Sequence, residues 1–450
     1  MRILLKNGMV YNHGTFTRSD IAIEDGIITR IEPVISPESL AVLALASELP
    51  EPLEISGLGS PSPEAFEILD YESHYILPGL ADVHVHLREP GFSYKETFDS
   101  GTRAAARGGF TVVCAMPNVD PPPDCPERLE LQRNLIEKSA VIVVKPYACI
   151  TTGGTGRGEL VDQAALSGEA AAFSDDGKGV QNTELMRRAM LLAKECGTLI
   201  AAHCEDESLL NGGYIHDGTY AKAYGHRGIS SESEWRQVER DLELVREIGC
   251  AYHVCHVSSA ESVELIRRAK REGLDVTCET APHYLTFTDA DLLDEGRFKM
   301  NPPLRSESDC AALIEGVRDG TIEIIATDHA PHSSEEKSKG LEGSSFGVVG
   351  LETALSAVYS NLVAGGTIGM ERLVELMCVN PRARFRLGGG EIVPGMAADL
   401  CVFDSSIRYT VDPERFLSLG RATPFEGREL FGKVKLTMAD GRIVWREEEN

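Results

Sequence analysis

Short apolar runs alternate with helical segments through the middle of this chain. Between residues 77 and 328 there are eight such runs, and most precede a segment whose apolar residues recur with helical spacing. The runs are LPGLADVHV, FTVVCAM, VIVVKPY, AAAFS, TLIAAH, CAYHVCH, LDVTCE and IEIIATD. Strands that alternate with helices are typical of a parallel sheet. Eight units in about 250 residues predict an α/β fold, a (β/α)8 TIM barrel.

The two chain ends follow a different pattern, with short strands separated by turns. The tripeptides EDG and ADG are hairpin signals near the two termini. We therefore predict one small β-sandwich domain, formed by residues 1–76 and 377–450, beside a catalytic barrel spanning 77–376. Residues 35–70 are rich in Pro, Ser and Gly and are predicted to be an insertion in the small domain. Its apolar stretch LAVLALA leaves two alternatives, a mobile excursion or packing on a neighbouring subunit.

The net charge of the chain narrows the classes of molecule that we expect it to bind. The chain has 450 residues and a formal net charge of −26, from 70 acidic and 44 basic side chains. This balance argues against nucleic acid and against an anionic membrane surface. No apolar run approaches the roughly 18 residues of a membrane span, and the N-terminus lacks a signal-peptide pattern. The 11 cysteines form no CxxC pair, which is typical of free thiols in a reducing cytoplasm. We expect a cytoplasmic protein.

Polar side chains gather at the carboxyl ends of the predicted strands, where TIM barrels carry their chemistry. His84 and His86 would share one face of the first strand, because side chains alternate along a strand. The full set at these ends is His84, His86, Asn118, Asp175, Asp176, His203, His256 and Asp328. Imidazole and carboxylate ligands suit Zn²⁺, and also Mn²⁺ or Co²⁺. The convergence predicts a metal site that activates water and polarises a carbonyl group.

Six strings along the chain carry a resemblance to a known family. They are DVHVHLREPG, CAMPN, AHCE, HVCHVS, KMNPPLR and TDHAPH. Together they resemble dihydroorotases of the bacterial class I type, in the amidohydrolase superfamily, over nearly the whole chain outside residues 35–70. The resemblance implies reversible cyclisation of N-carbamoyl-L-aspartate to L-dihydroorotate in de novo pyrimidine (UMP) biosynthesis. It also implies a zinc-activated hydroxide, with one or two Zn²⁺ per subunit.

The resemblance assigns the ligands as well. The implied metal ligands are His84, His86, Asp176, His203, His256 and Asp328. The first two histidines would bind one zinc and the other two a second metal, while Asp328 would also be the catalytic acid and base. Many relatives bridge their metals with a carbamylated lysine, but this chain reads AAFSDDGKG at that point. We therefore assign the bridge to Asp176 and expect Lys178 to be a solvated loop lysine.

The substrate has a carboxylate that takes no part in bond breaking. Arg88 lies two residues after His86, on the same face of an extended chain, and its guanidinium can clamp a carboxylate. Asn118 and His332 are further candidates for that group. The predicted substrate contacts are Arg88, Asn118, Asn301, His332, Phe346 and Gly347. The asparagine at 301 would meet the ring edge, and the loop around 343–347 would cover the ring or serve as a plain connector.

Two other histidines lie outside the predicted set of metal ligands. We expect His329 to orient a neighbouring metal ligand, and we take His253 as a surface or core residue.

Two alternative functions remain open on the sequence. An allantoinase or a hydantoinase-like enzyme would not need an arginine at position 88 and usually carries the bridging lysine. A non-catalytic scaffold, acting with aspartate transcarbamoylase, would have lost metal ligands. As partners we expect a small-molecule substrate and neither nucleic acid nor membrane. Homo-oligomerisation and association with aspartate transcarbamoylase are open alternatives.

Overall fold

The computed structural model describes residues 1–36 and 66–448, so most of the predicted insertion 35–70 lies outside the described residues. The strands are β1 (Arg2–Asn12), β2 (Thr15–Glu24), β3 (Ile27–Glu32), β4 (Glu67–Asp70), β5 (Tyr75–Pro78), β6 (Leu80–Val85), β7 (Phe110–Ala115), β8 (Val143–Pro146), β9 (Ile200–Ala202), β10 (Ile215–His216), β11 (Gly228–Ile229), β12 (Tyr252–Val254), β13 (Val276–Thr280), β14 (Ile324–Ile325), β15 (Leu400–Thr410), β16 (Glu429–Ala439) and β17 (Arg442–Arg446).

The α-helices fall mostly between the barrel strands. They span Phe98–Arg107, Pro126–Ser139, Gln163–Leu166, Thr183–Cys196, Thr219–Tyr224, Glu232–Ile248, Ala260–Arg271, Glu307–Asp319, Ser334–Lys337, Gly340–Gly343, Ala354–Val358, Met370–Val374 and Asn380–Phe385. Single π-helical turns follow two of them, at Tyr359–Val363 and Glu375–Val379. Within the described ranges, no helix is both long enough and apolar enough to cross a membrane.

Eight parallel segments close into a barrel, which confirms the predicted fold class. Strands β6, β7 and β8 form one part, and β9, β12, β13 and β14 form the other. Isolated parallel bridges join the two parts: Phe173 pairs with Ala148 and with Ile200, and His329 pairs with Val85. The fourth predicted run, AAAFS, therefore contributes one bridging residue, Phe173, instead of a full strand.

Successive side chains along a barrel strand point alternately into the barrel interior and toward the surrounding helices. On β7, Val113 and Ala115 belong to the large apolar cluster that includes residues of the surrounding helices. Cys114 and the following Met116 belong instead to a smaller cluster with residues of several other barrel strands. This period of two is the strand pattern. The interior is consequently packed below the mouth, and the polar residues at the strand ends lie above it.

Local signals set the bounds of the helices that surround the barrel. Helix Thr183–Cys196 begins after Asn182, whose side chain accepts a hydrogen bond from the backbone N–H of Leu185. It ends at Gly197, which has a φ of 65°. A left-handed residue at a helix C-terminus favours glycine, which has no Cβ to clash.

The two chain ends form one sheet, in the order β17-β16-β15-β5-β1-β2-β3, with β4 paired to β1. This sheet folds over on itself, because Ala398 donates to the carbonyl of Gly26 and accepts from the N–H of Gly441. Strand β4 lies inside the predicted insertion and pairs in parallel with β1, so residues 67–70 belong to the small domain proper.

The strands and helices near residues 76/77 and 376/377 bear on the predicted domain limits. Strand β5 carries the small sheet to Pro78, and β6 of the barrel begins at Leu80. At the other junction, Phe385 packs in the inner barrel cluster. We propose that the barrel runs from Leu80 to about residue 387 and that the small domain resumes after it.

Candidate active site at the barrel mouth

The six predicted metal ligands lie together at the carboxyl ends of the barrel strands. His84 is in β6 and His86 directly follows it, while the other four come after the fourth, fifth, sixth and eighth strands. All six side chains are buried: His84, His86, Asp176, His203, His256 and Asp328. The barrel thus brings together residues that are up to 244 positions apart in the chain.

Asp176 occupies the centre of this group. Its Oδ1 lies 3.4 Å from His84 Nε2, 3.5 Å from His256 Nε2 and 3.7 Å from His203 Nδ1. Its Oδ2 lies 3.6 Å from His86 Nε2. One carboxylate therefore faces both predicted pairs of imidazoles, which is the placement that a bridging ligand needs.

Asp328 faces the first pair of imidazoles from the opposite wall. Its Oδ1 lies 3.0 Å from His86 Nε2 and 3.5 Å from His84 Nε2. Burial acts to raise the pKa of this carboxyl, but His84 and His86 outweigh it, and the pKa falls below its usual value. Asp328 is therefore a carboxylate at neutral pH, ready to accept a proton.

Unpaired polar atoms in this cluster test whether a metal ion fits. His84 Nε2, Asp176 Oδ1 and His203 Nε2 are fully buried and have no hydrogen-bond partner among the described residues. Buried polar atoms without partners are costly, and a ligated ion satisfies them. Ligand atoms of His84, Asp176 and His256 lie within 4.8 Å of one another, as do those of His84, His86 and Asp328. The donor set fits a divalent metal such as Zn²⁺.

The carboxylate neighbours of His84 and His203 favour protonation of these two imidazoles, whereas burial lowers the pKa of His86. Although burial opposes it, Glu279, Asp176 and Asp328 raise the pKa of His84 well above its usual value. Asp176 and Glu205 similarly raise the pKa of His203 to about 10 against the effect of burial. Without a cation the cluster therefore holds protons. A metal must replace these protons, so metal binding releases them.

Glu279 is a site residue that the sequence analysis missed. Its Oε1 lies 2.5 Å from His84 Nδ1, and its Oε2 lies 3.1 Å from Nε2 of the buried His253. Accepting the Nδ1 proton leaves His84 Nε2 free to bind a metal. The signal was present, because Glu279 stands in LDVTCE, near the carboxyl end of the seventh run. His253, taken as a surface or core residue, is a core residue that supports this carboxylate.

Asn118 and Asn301 both use their amides within the protein. Asn118 Oδ1 lies 2.8 Å from His86 Nδ1, and its Nδ2 donates to Asp176 Oδ2 at 3.2 Å. Asn118 therefore orients two predicted ligands, which differs from its expected contact with the substrate carboxylate. Asn301 Nδ2 donates to Glu205 Oε1 at 3.0 Å. Its buried Oδ1 has no partner in the described chain and can accept from a ligand.

Arg88 is buried beside the metal-ligand cluster. The prediction that it continues the extended chain after His86 is wrong. Its φ of 62° places it in the left-handed region, so the chain turns at this residue and does not continue the strand. Its Nε donates to the carbonyl of Pro331 at 3.1 Å, and Nη2 lies 3.3 Å from His332 Nε2. Burial lowers the Arg88 pKa to about 10, and Asp328 and Asp176 act in the opposite direction. The guanidinium stays charged at neutral pH.

His332 and the loop after it form the adjacent wall. His332 Nε2 lies 2.7 Å from the carbonyl oxygen of Phe346, and its Nδ1 lies 3.2 Å from Lys95 Nζ. Burial, together with Arg88 and Lys95, lowers the pKa of His332 to about 3, so the ring is neutral. A Cβ on Gly347 would lie 2.7 Å from the Ala330 carbonyl oxygen and 3.2 Å from His332 Nε2. Only glycine fits the loop this closely against the wall.

The side chains of Asp175 and Asp176, which were both predicted to lie at the barrel mouth, have different partners in the structure. The Asp175 carboxylate accepts hydrogen bonds from the backbone N–H groups of Ile150 and Gly156 and so fixes a loop. Asp176 alone points into the metal-ligand cluster. Lys178 is exposed, as expected for a loop lysine.

His329 does not have its expected role. Its Nε2 lies 3.4 Å from Glu96 Oε2, and its Nδ1 accepts from the N–H of Gly350. The ring therefore holds a neighbouring loop and does not orient a metal ligand.

His283 also lies close to this site. Its ring is buried and its Nε2 has no hydrogen-bond partner among the described residues. Burial lowers the pKa of this imidazole to about 4, with Asp328 acting against burial and His256 acting with it. His283 is therefore neutral at physiological pH.

Comparisons with known proteins find relatives that match the chain over nearly its whole length. A family model described as Dihydro-orotase-like matches residues 73–262. A dihydroorotase of Bacillus caldolyticus is 44% identical over 450 residues, covering 99% of each chain. One of Staphylococcus aureus (strain MRSA252) is 43% identical over 448 residues, covering 99% of this chain and 100% of the other.

Solved structures give the same fold. An L-hydantoinase (dihydropyrimidinase) from Arthrobacter aurescens superimposes with a TM-score of 0.83 at 26% identity, covering 99% of this chain and 96% of the other. A D-hydantoinase has a TM-score of 0.82 at 22% identity, covering 99% and 95%. The fold is thus shared with hydantoinases, whereas full-length sequence identity is higher with the dihydroorotases.

Proposed function

This chain belongs to the dihydroorotase family, and from that membership we propose how its barrel mouth carries out the family's reaction. The chain is a cyclic amidohydrolase that interconverts N-carbamoyl-L-aspartate and L-dihydroorotate in pyrimidine biosynthesis. We propose that the reaction depends on zinc, with one or two ions per subunit. The observation that carries this proposal is the Asp176 carboxylate, which faces four imidazoles and has a buried oxygen without a hydrogen-bond partner.

The proposed ligands divide between two positions that Asp176 joins. His84, His86 and Asp328 would hold one ion, and His203 and His256 would hold the second. A divalent ion bound there lowers the pKa of water and polarises the amide carbonyl of the substrate. Glu279 and Asn118 would keep the ring nitrogens of His84 and His86 oriented toward the ion, because each lies against the Nδ1 atom.

Proton transfer is assigned to Asp328. In ring opening it accepts a proton from the attacking water and then delivers that proton to the ring nitrogen that leaves the carbonyl carbon. The C–N bond breaks after the new C–O bond has formed, and the single product is N-carbamoyl-L-aspartate, whose new carboxylic acid releases its remaining proton to solvent. The lowered pKa of Asp328 keeps it ionised for the first of these transfers.

Substrate binding is assigned to the wall beside the metal ligands. Arg88 would clamp the carboxylate that takes no part in bond breaking, next to His332. The free Oδ1 of Asn301 would accept from a ring N–H. Phe346 and Gly347 would cover the ring. The Arg88 guanidinium gives the monoanionic substrate and the dianionic product a cationic contact, in a chain whose formal net charge is −26.

The hydantoinase-like alternative has one observation in its favour, the shared fold. Two features of the site oppose it, because an aspartate, Asp176, occupies the position that we propose for the bridge and a buried arginine lies beside the proposed ligands. Self-association, association with aspartate transcarbamoylase and a cytoplasmic location stay predictions.

The test is a comparison of kcat/KM for L-dihydroorotate, hydantoin and allantoin at one measured zinc content, in the parent protein and in Arg88→Lys. We expect a clear preference for dihydroorotate that the substitution reduces. Equal or better turnover of hydantoin by the parent protein would overturn the assignment.

A further inference from the structure

Lys337 is a buried lysine outside the predicted metal and substrate residues. It ends the short helix Ser334–Lys337, and only 9% of its surface is exposed. Its Nζ donates to three backbone carbonyls, those of Lys299 at 2.9 Å, Ser345 at 2.8 Å and Gly347 at 2.6 Å. An ammonium group has three N–H donors and no acceptor, so these carbonyls use its full capacity.

The three carbonyls belong to two segments of the proposed substrate wall. Lys299 lies two residues before Asn301, and Ser345 and Gly347 flank Phe346. The segments also meet directly, since the N–H of Gly347 donates to the Lys299 carbonyl at 3.1 Å. Without Lys337, that backbone hydrogen bond would remain, together with the contacts of the Lys299 side chain with the Glu342 carbonyl and the Phe346 ring.

Burying this charge has a cost that surface lysines avoid. Burial, and then the nearby charge of Lys299, lowers the pKa of Lys337 to about 7. Lys339, two residues later, is half exposed and lies 3.8 Å from Glu335. A buried lysine that donates to three carbonyls of two loops serves to order those loops, because removing it would take the donor from the Ser345 and Gly347 carbonyls and leave Lys299 with the Gly347 N–H alone.

We infer that Lys337 is a positioning residue that holds the segments carrying Asn301 and Phe346 together as one substrate-binding wall. It touches neither substrate nor metal and acts through the backbone of both segments. The consequence for binding rests on the proposed function. Preorganised walls bind more tightly because less order is lost when the ligand enters.

The first experiment measures loop order without substrate. Hydrogen–deuterium exchange is compared in the parent protein, Lys337→Met and the matched control Lys339→Met. We expect peptides covering 299–301 and 344–347 to exchange roughly tenfold faster in Lys337→Met, with helix Thr183–Cys196 unchanged. Unchanged exchange in both segments would overturn the inference. If Lys337→Met does not fold, Lys337→Gln is measured in its place with the same expectation.

The second experiment measures the effect on the reaction at matched zinc content. For Lys337→Met we expect KM for dihydroorotate to rise about tenfold with a smaller change in kcat, since uniform binding is lost. Lys339→Met should match the parent protein. A parent-like KM in Lys337→Met contradicts the inference. Absence of dihydroorotate turnover in the parent protein would instead contradict the proposed function, and the exchange result would still decide the role of Lys337.

Discussion

Replacing Glu279 with glutamine tests whether a side chain that touches no metal sets metal affinity. The carboxylate accepts from His84 through one oxygen, at 2.5 Å, and contacts His253 through the other, at 3.1 Å. Glutamine keeps one oxygen and replaces the other with an NH₂ donor. It cannot accept from both rings, and where its NH₂ group faces His84 Nδ1 the ring proton moves to Nε2. A protonated Nε2 cannot bind a metal.

The size of the effect follows from this geometry. Losing a partner that orients a ligating histidine costs about 10–100-fold in metal affinity, or about 1.4–2.7 kcal/mol. We expect a loss toward the upper end, because the carboxylate is fully buried and no solvent can take its place as the acceptor for His84. The loss should be in metal affinity first, with activity restored in part by excess zinc.

The assay is competition for zinc between the metal-depleted protein and a chromophoric chelator, with circular dichroism to verify the fold. The matched control is Glu352→Gln, a buried glutamate that accepts from the N–H groups of Leu417 and Ser418. It should lower stability without changing zinc affinity. If Glu279→Gln binds zinc within twofold of the parent protein, the orientation argument is refuted.

Three further predictions concern other parts of the mouth. Asp176→Ala should lose most of its zinc while staying folded, whereas Asp175→Ala should keep zinc and melt at a lower temperature; the reverse result in metal analysis and calorimetry would overturn the bridge. Arg88→Lys should lower kcat/KM on the order of tenfold or more at normal zinc content, and normal binding of a non-reactive carboxylate analogue would exclude the clamp. The folded-state pKa of His332, about 3, lies below the unfolded value of about 6.5. The unfolded chain therefore gains a proton first as pH falls, and the free energy of unfolding of the parent protein should drop relative to His332→Gln between these values. Parallel stability–pH curves in chemical denaturation would contradict that sign.

Barrel closure and the ligand positions could be predicted from the sequence because both depend on short-range periodicity. The alternation that places Cys114 inward and Val113 outward predicts His84 and His86 on one face of the first strand, although a register shift between Asp82 and Val85 interrupts the alternation there. The rule that strand ends carry the chemistry then found Asp328. The same rule applied to LDVTCE would have found Glu279, so this omission was not a limit of the sequence.

Other features depend on contacts that no local pattern encodes. Arg88 reaches the site through a left-handed backbone that a non-glycine residue rarely adopts. Asp175 and Asp176 are identical in type and adjacent, yet only the fold decides which one meets the loop at Gly156. Lys337 stands in a polar stretch, SSEEKSKG, where its neighbour Lys339 has the same local surroundings and is exposed. Burial of one and exposure of the other follow from the loops that pack above.

The central claim is that this mouth is a metal-dependent dihydroorotase site, and zinc titration of the depleted protein tests it most directly. Hydrolysis of L-dihydroorotate is followed while zinc is added, with bound zinc measured in the same samples. The account predicts almost no turnover in the depleted protein and a rise that saturates at one or two zinc ions per chain. Full turnover of dihydroorotate by protein with no measurable bound metal would contradict it.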